Sequence, residues 1–600
     1  MGENMHDKHY GAPENWMLNN IPEGSILGIN YNGGHDTAIA LVSPEGQPLF
    51  AISLERISRS KQDGRSPELL LKNFPWQKIS KVAISVAEKI SDVDSLSNKL
   101  HPISLINPYA EASPHPDLFS HTLAFIPVEK IFVSHHLSHA ASAFWYSNFS
   151  EATCLVYDGG MCNEHWFGGA YQASIANGIQ PIDLFSIRNY SNFALLYASI
   201  TGLLGFKPLK HEGKITGLAA YGEPKQDCRI LLTEWAHHPE ILRGFLKWKN
   251  LYSSEAIPQL ETDLGEFLPI KQALERFSRE DIAATIQTIA EEHIIEIIKN
   301  MAKQGIPIKN ICLAGGLFAN VKINQRVSES GCEHLYIAPP MSDDGTALGA
   351  ALEVAFNTNK IHKVRSHSGT MYLGPSYSNE EIQEAILKNS LKVERSDNPA
   401  EAVAALLAKG EIVGIFQGAL EFGPRALGNR SILAPANDPL INQRLNELLS
   451  RTEFMPFAPI SQIEDAELLY QNIERVKLAA EFMTVSVNCT EEMKRLCPAV
   501  VHIDGTARPQ LVSDTVNPFI HSVLGYYKKF TGYPALVNTS FNLHEEPIIC
   551  SPEDAIKSFF EAGLDALYLE GNIIKLDDNK TVEVDFLRKK IHRLVLTCKP

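Results

Sequence analysis

A unit of three strands joined by two tight turns occurs twice in the first 190 residues, and it restricts the possible folds of this chain more than any other feature. In the first copy, alternating and apolar runs predict strands at 26–31, 37–42 and 49–54. In the second copy, the strands are predicted at 152–157, 168–174 and 181–188. Glycine and aspartate supply the turns. Such a repeat predicts two similar lobes with a nucleotide-binding cleft between them, although two unrelated hairpins would give a similar pattern.

A pair of histidines and an aspartate lie at the ends of predicted elements in this region. Ser134 is a suitable N-cap, so His135 and His139 fall four residues apart on one face of the following helix. Asp158 ends the first strand of the second copy. Two imidazoles and a carboxylate are suitable ligands for a divalent metal ion. Capping or packing histidines would account for the same spacing, and His136 is interpreted as structural.

The chain is long enough for more than one hydrophobic core, because its 600 residues exceed the size of a single domain. Its formal net charge of -16 argues against a protein that coats nucleic acid. The nine cysteines form no CxxC pair, which favours a reducing compartment. We find no secretory signal and no long apolar span. These features predict a cytoplasmic protein.

A change in pattern between 360 and 374 predicts a domain boundary, after which helices and strands alternate. The expected organisation is a polar lead-in at 1–24, one domain at 25–365 and a second at 366–600.

Arginines in glycine- and proline-rich loops of the second half indicate an anion-binding pocket. They are Arg425, Arg430, Arg451 and Arg508. Guanidinium groups bind phosphate oxygens in a bidentate manner, although pairing with Glu421 and Glu453 at the surface is an equal alternative. The stretch VNTSFN adds Asn538, Ser540 and Asn542, which suit nucleotide contacts or an ordinary strand end. P-loop, HExxH and GxSxG motifs are absent from the sequence.

Ordered motifs over residues 25 to 570 resemble those of the antibiotic and nodulation-factor O-carbamoyltransferases. Among them are NYNGGHDTAIAL, HHLSHAASAF, HEGKITGLAAYG, LAGGLFANVKINQ, SDDGTALGAAL, GPRALGNRSI, TEFMPFAP, DGTARPQ and NTSFN. The sequence departs from the family pattern in HEEPI, where Glu545 occupies a position expected to be glycine. A glycine there would suit a positive φ.

The resemblance implies an α/β protein of two domains. The N-terminal domain would have the duplicated actin/sugar-kinase/Hsp70 type of fold, like the subunit that transfers threonylcarbamoyl to tRNA (Kae1-like). The C-terminal domain would be similar to the YrdC threonylcarbamoyl-adenylate synthases. The implied reaction is a relay in which the second domain makes carbamoyl adenylate from ATP and carbamoyl phosphate. The first domain then passes the carbamoyl group to a hydroxyl or amine.

The same resemblance implies roles for individual residues. His135, His139, Asp158 and Asp343 fall on metal-ligand positions, with Fe2+ as the expected ion, and His35 falls where a general base for the acceptor is expected. Nucleotide contacts are implied for Lys61, Lys214, Gly315, Gly316 and Asn320. The four arginines would hold carbamoyl phosphate and the phosphates of ATP.

Two other functions fit part of the sequence. One is a fused tRNA threonylcarbamoylation enzyme, which the negative charge and the domain order disfavour. The other is a non-catalytic nucleotide switch of the Hsp70 type, which would need neither His35 nor the arginine loops. The expected partner is a small hydroxylated or amino natural product, such as an antibiotic precursor, rather than nucleic acid or a membrane. A homodimer is expected, and the sequence leaves the acceptor open.

Overall fold

The structure is a computed structural model, and it describes most of the chain. The described residues are 21–32, 35–86, 123–159, 167–182, 193–236, 273–359, 370–450, 456–582, 584 and 586. The predicted lead-in therefore lies almost entirely outside the described residues.

The first sheet has five strands in the order β3-β2-β1-β4-β5. They are β1 (Ser25–Asn30), β2 (Ala38–Val42), β3 (Pro48–Ser53), β4 (Ile79–Val86) and β5 (Lys130–Ser134). β1, β2 and β3 pair antiparallel, whereas β4 and β5 continue the sheet in parallel. The near-continuous burial of β1 and β2 reflects packing on both faces of the sheet.

The second sheet repeats this topology, in the order β10-β9-β6-β7-β8. Its strands are β6 (Glu151–Tyr157), β7 (Gly168–Ser174), β8 (Gly178–Pro181), β9 (Asn310–Ala314) and β10 (His334–Ile337). Each pairing has the same direction as its counterpart in the first sheet. The predicted α/β class and its duplicated N-terminal half are therefore confirmed.

The third strand of the second unit begins earlier than predicted. A turn at 175–177 brings the chain directly back onto β7, so that β8 ends at Pro181 instead of beginning there. Most of the predicted range, 183–188, lies outside the described residues.

The third sheet, in the C-terminal half, is mixed and has eight strands in the order β11-β20-β19-β12-β13-β18-β14-β17. Its strands, with the separate hairpin β15–β16, are β11 (Glu394–Arg395), β12 (Val413–Phe416), β13 (Arg430–Pro435), β14 (Ala458–Gln462), β15 (Val487–Asn488), β16 (Thr506–Ala507), β17 (Gln510–Val512), β18 (Ala535–Ser540), β19 (Ala566–Leu569) and β20 (Asn572–Lys575).

Helices cover the sheets and begin at recognisable caps. Ser134 accepts a hydrogen bond from the Leu137 amide, and Ser378 forms a capping box with Glu381. The helices are α1 (Glu55–Ser58), α2 (His135–Phe144), α3 (Phe193–Leu203), α4 (Glu212–Leu218), α5 (Gln226–Trp235), α6 (Arg279–Lys303), α7 (Val321–Glu329), α8 (Asp344–Asn359), α9 (Asn379–Lys388), α10 (Pro399–Ala408), α11 (Ile441–Leu448), α12 (Ala466–Leu469), α13 (Lys477–Ala480), α14 (Glu491–Leu496), α15 (Pro518–Thr531) and α16 (Pro552–Ala562).

Helix α8 fixes α2 against the first sheet, because it packs on both elements. Its residues from Asp344 to Ala355 are all buried. At the crossing, a Cβ on Gly349 would overlap the carbonyl oxygen of Ser138 in α2. Glycine is therefore required for this close approach, which sets the position of the histidines on α2.

The N- and C-terminal halves are joined by hydrogen bonds from arginines to backbone carbonyls. Arg56 donates to the Gly423 carbonyl at 2.6 Å, and Arg59 donates to the carbonyls of Pro547 and Ile548 at 2.8 and 2.7 Å. These charge-assisted bonds hold the loops of the second half against the first sheet. Of the helices that the structure describes, none is long and apolar enough to cross a membrane.

Candidate functional site

Two histidines and two aspartates form a largely buried cluster between the two lobes of the N-terminal half, with one histidine and one aspartate partly exposed. The four residues are His135, His139, Asp158 and Asp343, and one ligand atom from each lies within 4.8 Å of the others. His135 Nε2 is 3.2 Å from Asp158 Oδ2 and 3.4 Å from Asp343 Oδ1. His139 Nε2 is 3.5 Å from Asp343 Oδ1. The sequence separates Asp343 from the histidines by about 200 residues, and the fold brings them together.

The duplication explains where these four residues come from. His135 and His139 follow the fifth strand of the first lobe, and Asp343 follows the fifth strand of the second lobe. Asp158 follows the first strand of the second lobe. His35 lies in the turn that follows the first strand of the first lobe. Equivalent strand ends of two lobes thus face one cleft, as expected for a duplicated α/β fold.

The chemistry of the cluster fits a divalent cation. His139 is fully buried, and neither of its ring nitrogens has a hydrogen-bond partner in the described part of the chain. Burial alone would lower the pKa of His135, but the negative charges of Asp343 and Asp158 outweigh it and raise that pKa. Two carboxylates and an unsatisfied imidazole in one buried space match the ligand preferences of a first-row divalent metal.

His35 lies at the edge of the cluster and is held by its neighbours. Its Nδ1 is 3.1 Å from Asp36 Oδ2 and 3.8 Å from Asp343 Oδ2. Asn32 accepts a hydrogen bond from the His35 amide and donates one to Asp343 Oδ2 at 3.2 Å. The His35 side chain remains 37% exposed, so it is accessible to a substrate that enters the cleft.

Asn32 and Asp36 are site residues that the sequence analysis missed. Both belong to the NYNGGHD turn, and Asp36 has a positive φ of 55°. The sequence signal for Asn32 was its place three residues before His35, because asparagine and aspartate side chains in turns often hydrogen-bond to the nearby backbone.

A cavity of about 360 Å³ lies between the N- and C-terminal halves and receives cations from both. Lys61, Lys210 and Lys214 line it from the first half, and Arg425 and Arg508 line it from the second. Asn538, Ser540 and Asn542 also line the cavity, at the end of β18. The structure therefore brings together two of the predicted arginines, both predicted lysines and the polar residues of VNTSFN.

Arg425 is distinguished by its lack of internal partners. Its Nε is buried and has no hydrogen-bond partner among the residues that the structure describes. Burial lowers the pKa of Arg425 to about 10. Arg425 is partly buried, and a partly desolvated guanidinium without a counter-charge is unfavourable, so the site is suited to an anion that would supply one.

Arg430 lies elsewhere, which corrects the prediction that it lines the anion pocket. Its side chain is fully buried, and its guanidinium donates to the carbonyls of Gln417, Gly418 and Asn429 at 2.6–3.1 Å. It also lies 3.7 Å from the ring centroid of Phe416. The two terminal nitrogens of the guanidinium are used within the fold, so Arg430 stabilises the loop that precedes it. Arg451 lies outside the described residues.

Gly315 and Gly316 lie beside Asp158, and Asn320 lies between Ala319 and Val321, which line the cavity; none of the three predicted nucleotide-binding residues lines the cavity itself. A Cβ at Gly315, where φ is 99°, would overlap the Tyr157 carbonyl. The Gly316 amide donates to Asp158 Oδ1 at 3.3 Å. Asn320 caps α7 and donates to Gln287 Oε1 at 2.8 Å. In this arrangement Gly315 and Gly316 position Asp158, and Asn320 positions the helix.

One short turn connects the two sites. The 3-10 turn Gly316–Ala319 begins at the amide that binds Asp158 and ends at Ala319, which lines the cavity. The cluster and the cavity are thus adjacent parts of one region.

Comparisons with known proteins agree on one family. A model described as Carbamoyltransferase N-terminus matches residues 122–352, and one described as Carbamoyltransferase C-terminus matches residues 404–575. The chain is 30% identical to the uncharacterized protein MJ1058 of Methanocaldococcus jannaschii, over 92% of this chain and 99% of that protein. It is 29% identical to nodulation protein NolNO of Sinorhizobium fredii, over 90% and 79% respectively. A crystal structure of full-length HypF, with phosphate and nucleotide bound, is 16% identical, with a TM-score of 0.29 over 58% of this chain and 57% of that one. That structural likeness is too distant to carry an argument.

Proposed function

The chain belongs to the carbamoyltransferase family, and from this premise we propose that it is an ATP-dependent O-carbamoyltransferase that works in two half-reactions. In the first, carbamoyl phosphate and ATP give carbamoyl adenylate in the cavity between the two halves. In the second, the carbamoyl group passes to a hydroxyl, or an amine, of a small-molecule natural product at the cleft beside His35.

The observation that carries the first half-reaction is the uncompensated charge of Arg425. Its buried Nε has no partner among the described residues, and it shares a 360 Å³ cavity with Arg508 and four lysines. ATP and carbamoyl phosphate together bring several negative charges, which would satisfy these cations. Displacement of water from this space would strengthen each contact, because electrostatic interactions increase as the local dielectric constant falls.

The cluster around His139 supports the second half-reaction. We propose Fe2+ as its resident ion, held by His135, His139, Asp158 and Asp343. When bound, a divalent ion supplies Lewis-acid stabilisation of charge on a phosphoryl or carbonyl oxygen. Asn32 and Gly316 orient the two carboxylates through hydrogen bonds to Asp343 and Asp158.

His35 is the proposed general base that removes the proton of the acceptor hydroxyl. Asp36 bonds to its Nδ1, so Nε2 is the nitrogen left to accept that proton. Burial opposes protonation of His35, but its bond to Asp36 and the charges of Asp343 and Asp158 raise its pKa to about 9. Neutralisation of those carboxylates by a bound cation would bring this pKa back towards the range of a general base.

The proposal is tested by supplying the purified chain with ATP and carbamoyl phosphate and measuring pyrophosphate. Pyrophosphate release that depends on carbamoyl phosphate, with radiolabel from carbamoyl phosphate entering an adenylate, supports the first half-reaction. Release that is equal without carbamoyl phosphate, or no release at all, would contradict it. A panel of hydroxylated natural products with the same radiolabel then identifies the acceptor class.

A further inference from the structure

A tight turn in the C-terminal half holds a histidine–aspartate pair on the cavity wall. The turn spans His502 to Gly505 and precedes β16, and the Gly505 amide donates to the His502 carbonyl at 2.8 Å. His502 Nδ1 lies 3.3 Å from Asp504 Oδ1. Both residues line the cavity that contains Arg425 and Arg508. The side chain of His502 is only 12% exposed.

Asp504 is fixed in its ionised form by partners on both oxygens. Lys322 Nζ, from the N-terminal half, lies 2.8 Å from Oδ2, and the Thr506 hydroxyl donates to Oδ1 at 2.6 Å. Burial alone would raise the pKa of Asp504, but the hydrogen bond from His502 and the charge of Lys322 hold it well below its usual range.

An ionised Asp504 determines which nitrogen of His502 carries the proton. A carboxylate only accepts hydrogen bonds, so Nδ1 must be the donor to Asp504. In the neutral imidazole, Nε2 then carries the lone pair. Within the described residues, Nε2 is buried and has no hydrogen-bond partner. An acceptor that is oriented by a carboxylate and belongs to a residue on the wall of this cavity is suited to act as a general base.

The proposed first half-reaction needs such a base, because carbamoyl phosphate does not by itself provide the group that attacks ATP. Its carbamoyl carbon must lose phosphate and gain an oxygen that can bond to the α-phosphorus. Water supplies that oxygen. Hydrolysis gives carbamate and inorganic phosphate, and a carbamate oxygen then displaces pyrophosphate from ATP.

We infer that His502, oriented by Asp504, is the general base that activates water against carbamoyl phosphate in this cavity. The water oxygen bonds to the carbamoyl carbon as Nε2 of His502 takes one water proton. The bond from that carbon to the phosphate oxygen breaks, and phosphate leaves with the electron pair and takes the second water proton, so the products are carbamate and hydrogen phosphate. His502 then releases its proton to solvent. This inference rests on the proposed function, since it assigns one step of it.

The test uses His502→Asn in the full chain. The asparagine amide replaces Nδ1 and keeps a donor for Asp504, but it removes Nε2. The matched control is His521→Asn, because His521 also pairs with a carboxylate, Glu464 at 3.1 Å, but lies outside the cavity lining. Phosphate release from carbamoyl phosphate is measured first. Pyrophosphate release is then measured with ATP and either carbamoyl phosphate or ammonium carbamate.

We expect His502→Asn to lower phosphate release about 100-fold or more, the usual contribution of a general base. Pyrophosphate release should fall equally with carbamoyl phosphate and return to within about 2-fold of the wild-type rate with carbamate, since carbamate bypasses the step. His521→Asn should behave as the wild type. If His502→Asn folds poorly, Asp504→Asn serves instead. The new asparagine amide can donate to Nδ1 of His502, which would move the imidazole proton to Nε2 and remove the acceptor.

Three results would overturn the inference, and they are distinguishable. Normal phosphate release by His502→Asn and Asp504→Asn would remove His502 from the step while leaving the proposed function intact. Loss of pyrophosphate release with carbamate as well would assign His502 to structure or to adenylation. Absence of carbamoyl-phosphate-dependent pyrophosphate release in the wild type would overturn the proposed function itself, and the inference with it.

Discussion

Glu545 and Lys207 join the two halves of the chain at the edge of the cavity, with Oε2 of Glu545 2.7 Å from Nζ of Lys207. The other oxygen, Oε1, lies 3.0 Å from His211 Nε2. Glu545 has a φ of 65°, a conformation that favours glycine. The family pattern places glycine at this position, and the positive φ agrees with that expectation. The chain therefore accepts local backbone strain at a residue that links its two halves.

Glu545→Gly and Glu545→Gln separate the strain from the ion pair. Both variants lose the carboxylate, which is 35% exposed and contributes at most about 1 kcal/mol. Only glycine relieves the positive φ, so we expect the Gly variant to be more stable than the Gln variant by about 1 kcal/mol. Thermal unfolding of the two variants measures this difference. Glu333→Gln, which removes the exposed pair with Lys309, is the control and should change stability little. Equal stability of the Gly and Gln variants would show that the positive φ of Glu545 does not strain the backbone.

Glu545 should also make the stability of the protein depend on pH. Partial burial opposes ionisation of Glu545, but the hydrogen bond and charge of Lys207, followed by those of His211, lower its pKa to about 2. The pKa in the unfolded chain is about 4.3, so the stabilisation is present above that pH and is lost as the pH falls towards the folded value. The stability difference between wild type and Glu545→Gln should therefore shrink between about pH 5 and pH 2. A stability difference between the wild type and Glu545→Gln that grows as the pH falls would contradict the lowered pKa of Glu545.

His139→Ala should abolish metal binding, because His139 is fully buried in the cluster and its ring nitrogens have no other hydrogen-bond partner in the described residues. We expect at least about a 100-fold loss of affinity, since the variant removes a ligand itself rather than an outer partner. Elemental analysis after anaerobic reconstitution with Fe2+, Mn2+ or Zn2+ measures occupancy and selectivity. The exposed His334→Ala is the control. Full metal content in His139→Ala would remove this residue from the ligand set.

His35→Asn should separate the two half-reactions. The asparagine amide can still bond to Asp36, but it offers no basic nitrogen to the acceptor. Pyrophosphate release should therefore persist while carbamoylated product falls about 100-fold or more. Product is measured by radiolabel transfer to an acceptor found in the screen. Loss of both activities would mean that His35 supports the structure of the cleft.

Arg425, in the loop before β13, and Arg430, the first residue of β13, should respond oppositely to replacement by methionine. Arg430→Met removes three hydrogen bonds from a fully buried side chain to backbone carbonyls and should cost about 3 kcal/mol or more of unfolding free energy. Arg425→Met removes a partly buried charge whose Nε has no partner among the described residues, and it should leave the ligand-free chain as stable as the wild type or more so. Denaturant unfolding without ligands measures both. Marked destabilisation by Arg425→Met would indicate an internal role for that residue.

The sequence alone predicts the helices and strands that have a regular hydrophobic period. It also predicts the site residues that come directly after a strand. Glycine and aspartate at the ends of β1 and β6 predicted the repeat, and the spacing of His135 and His139 predicted a shared helix face. Asp158 and Asp343 lie close to these histidines because each of them comes after a strand that ends at the same cleft. The third strand of the second unit was misplaced because residues 175–188 contain apolar positions that fit either register.

The partners of long side chains could not be predicted in this way. Arg425 and Arg430 have the same local composition around them, yet one lines a cavity and the other binds backbone carbonyls. The pair of Lys207 and Glu545 spans 338 residues, so no local pattern encodes it. His502 and Asp504 had a weak signal, a histidine and an aspartate two residues apart beside a glycine.

The central proposal is that Arg425 binds the anionic substrates of adenylate formation. The direct measurement is carbamoyl-phosphate-dependent pyrophosphate release by Arg425→Ala beside Arg444→Ala, which loses a surface pair with Asp565 and a hydrogen bond to the Gly410 carbonyl, both outside the cavity lining. Both variants should show wild-type circular dichroism. We predict that Arg425→Ala loses at least about 99% of the activity, as expected for removal of a buried charge contact worth about 3 kcal/mol, whereas Arg444→Ala retains it. Pyrophosphate release by Arg425→Ala at the wild-type rate would contradict the account.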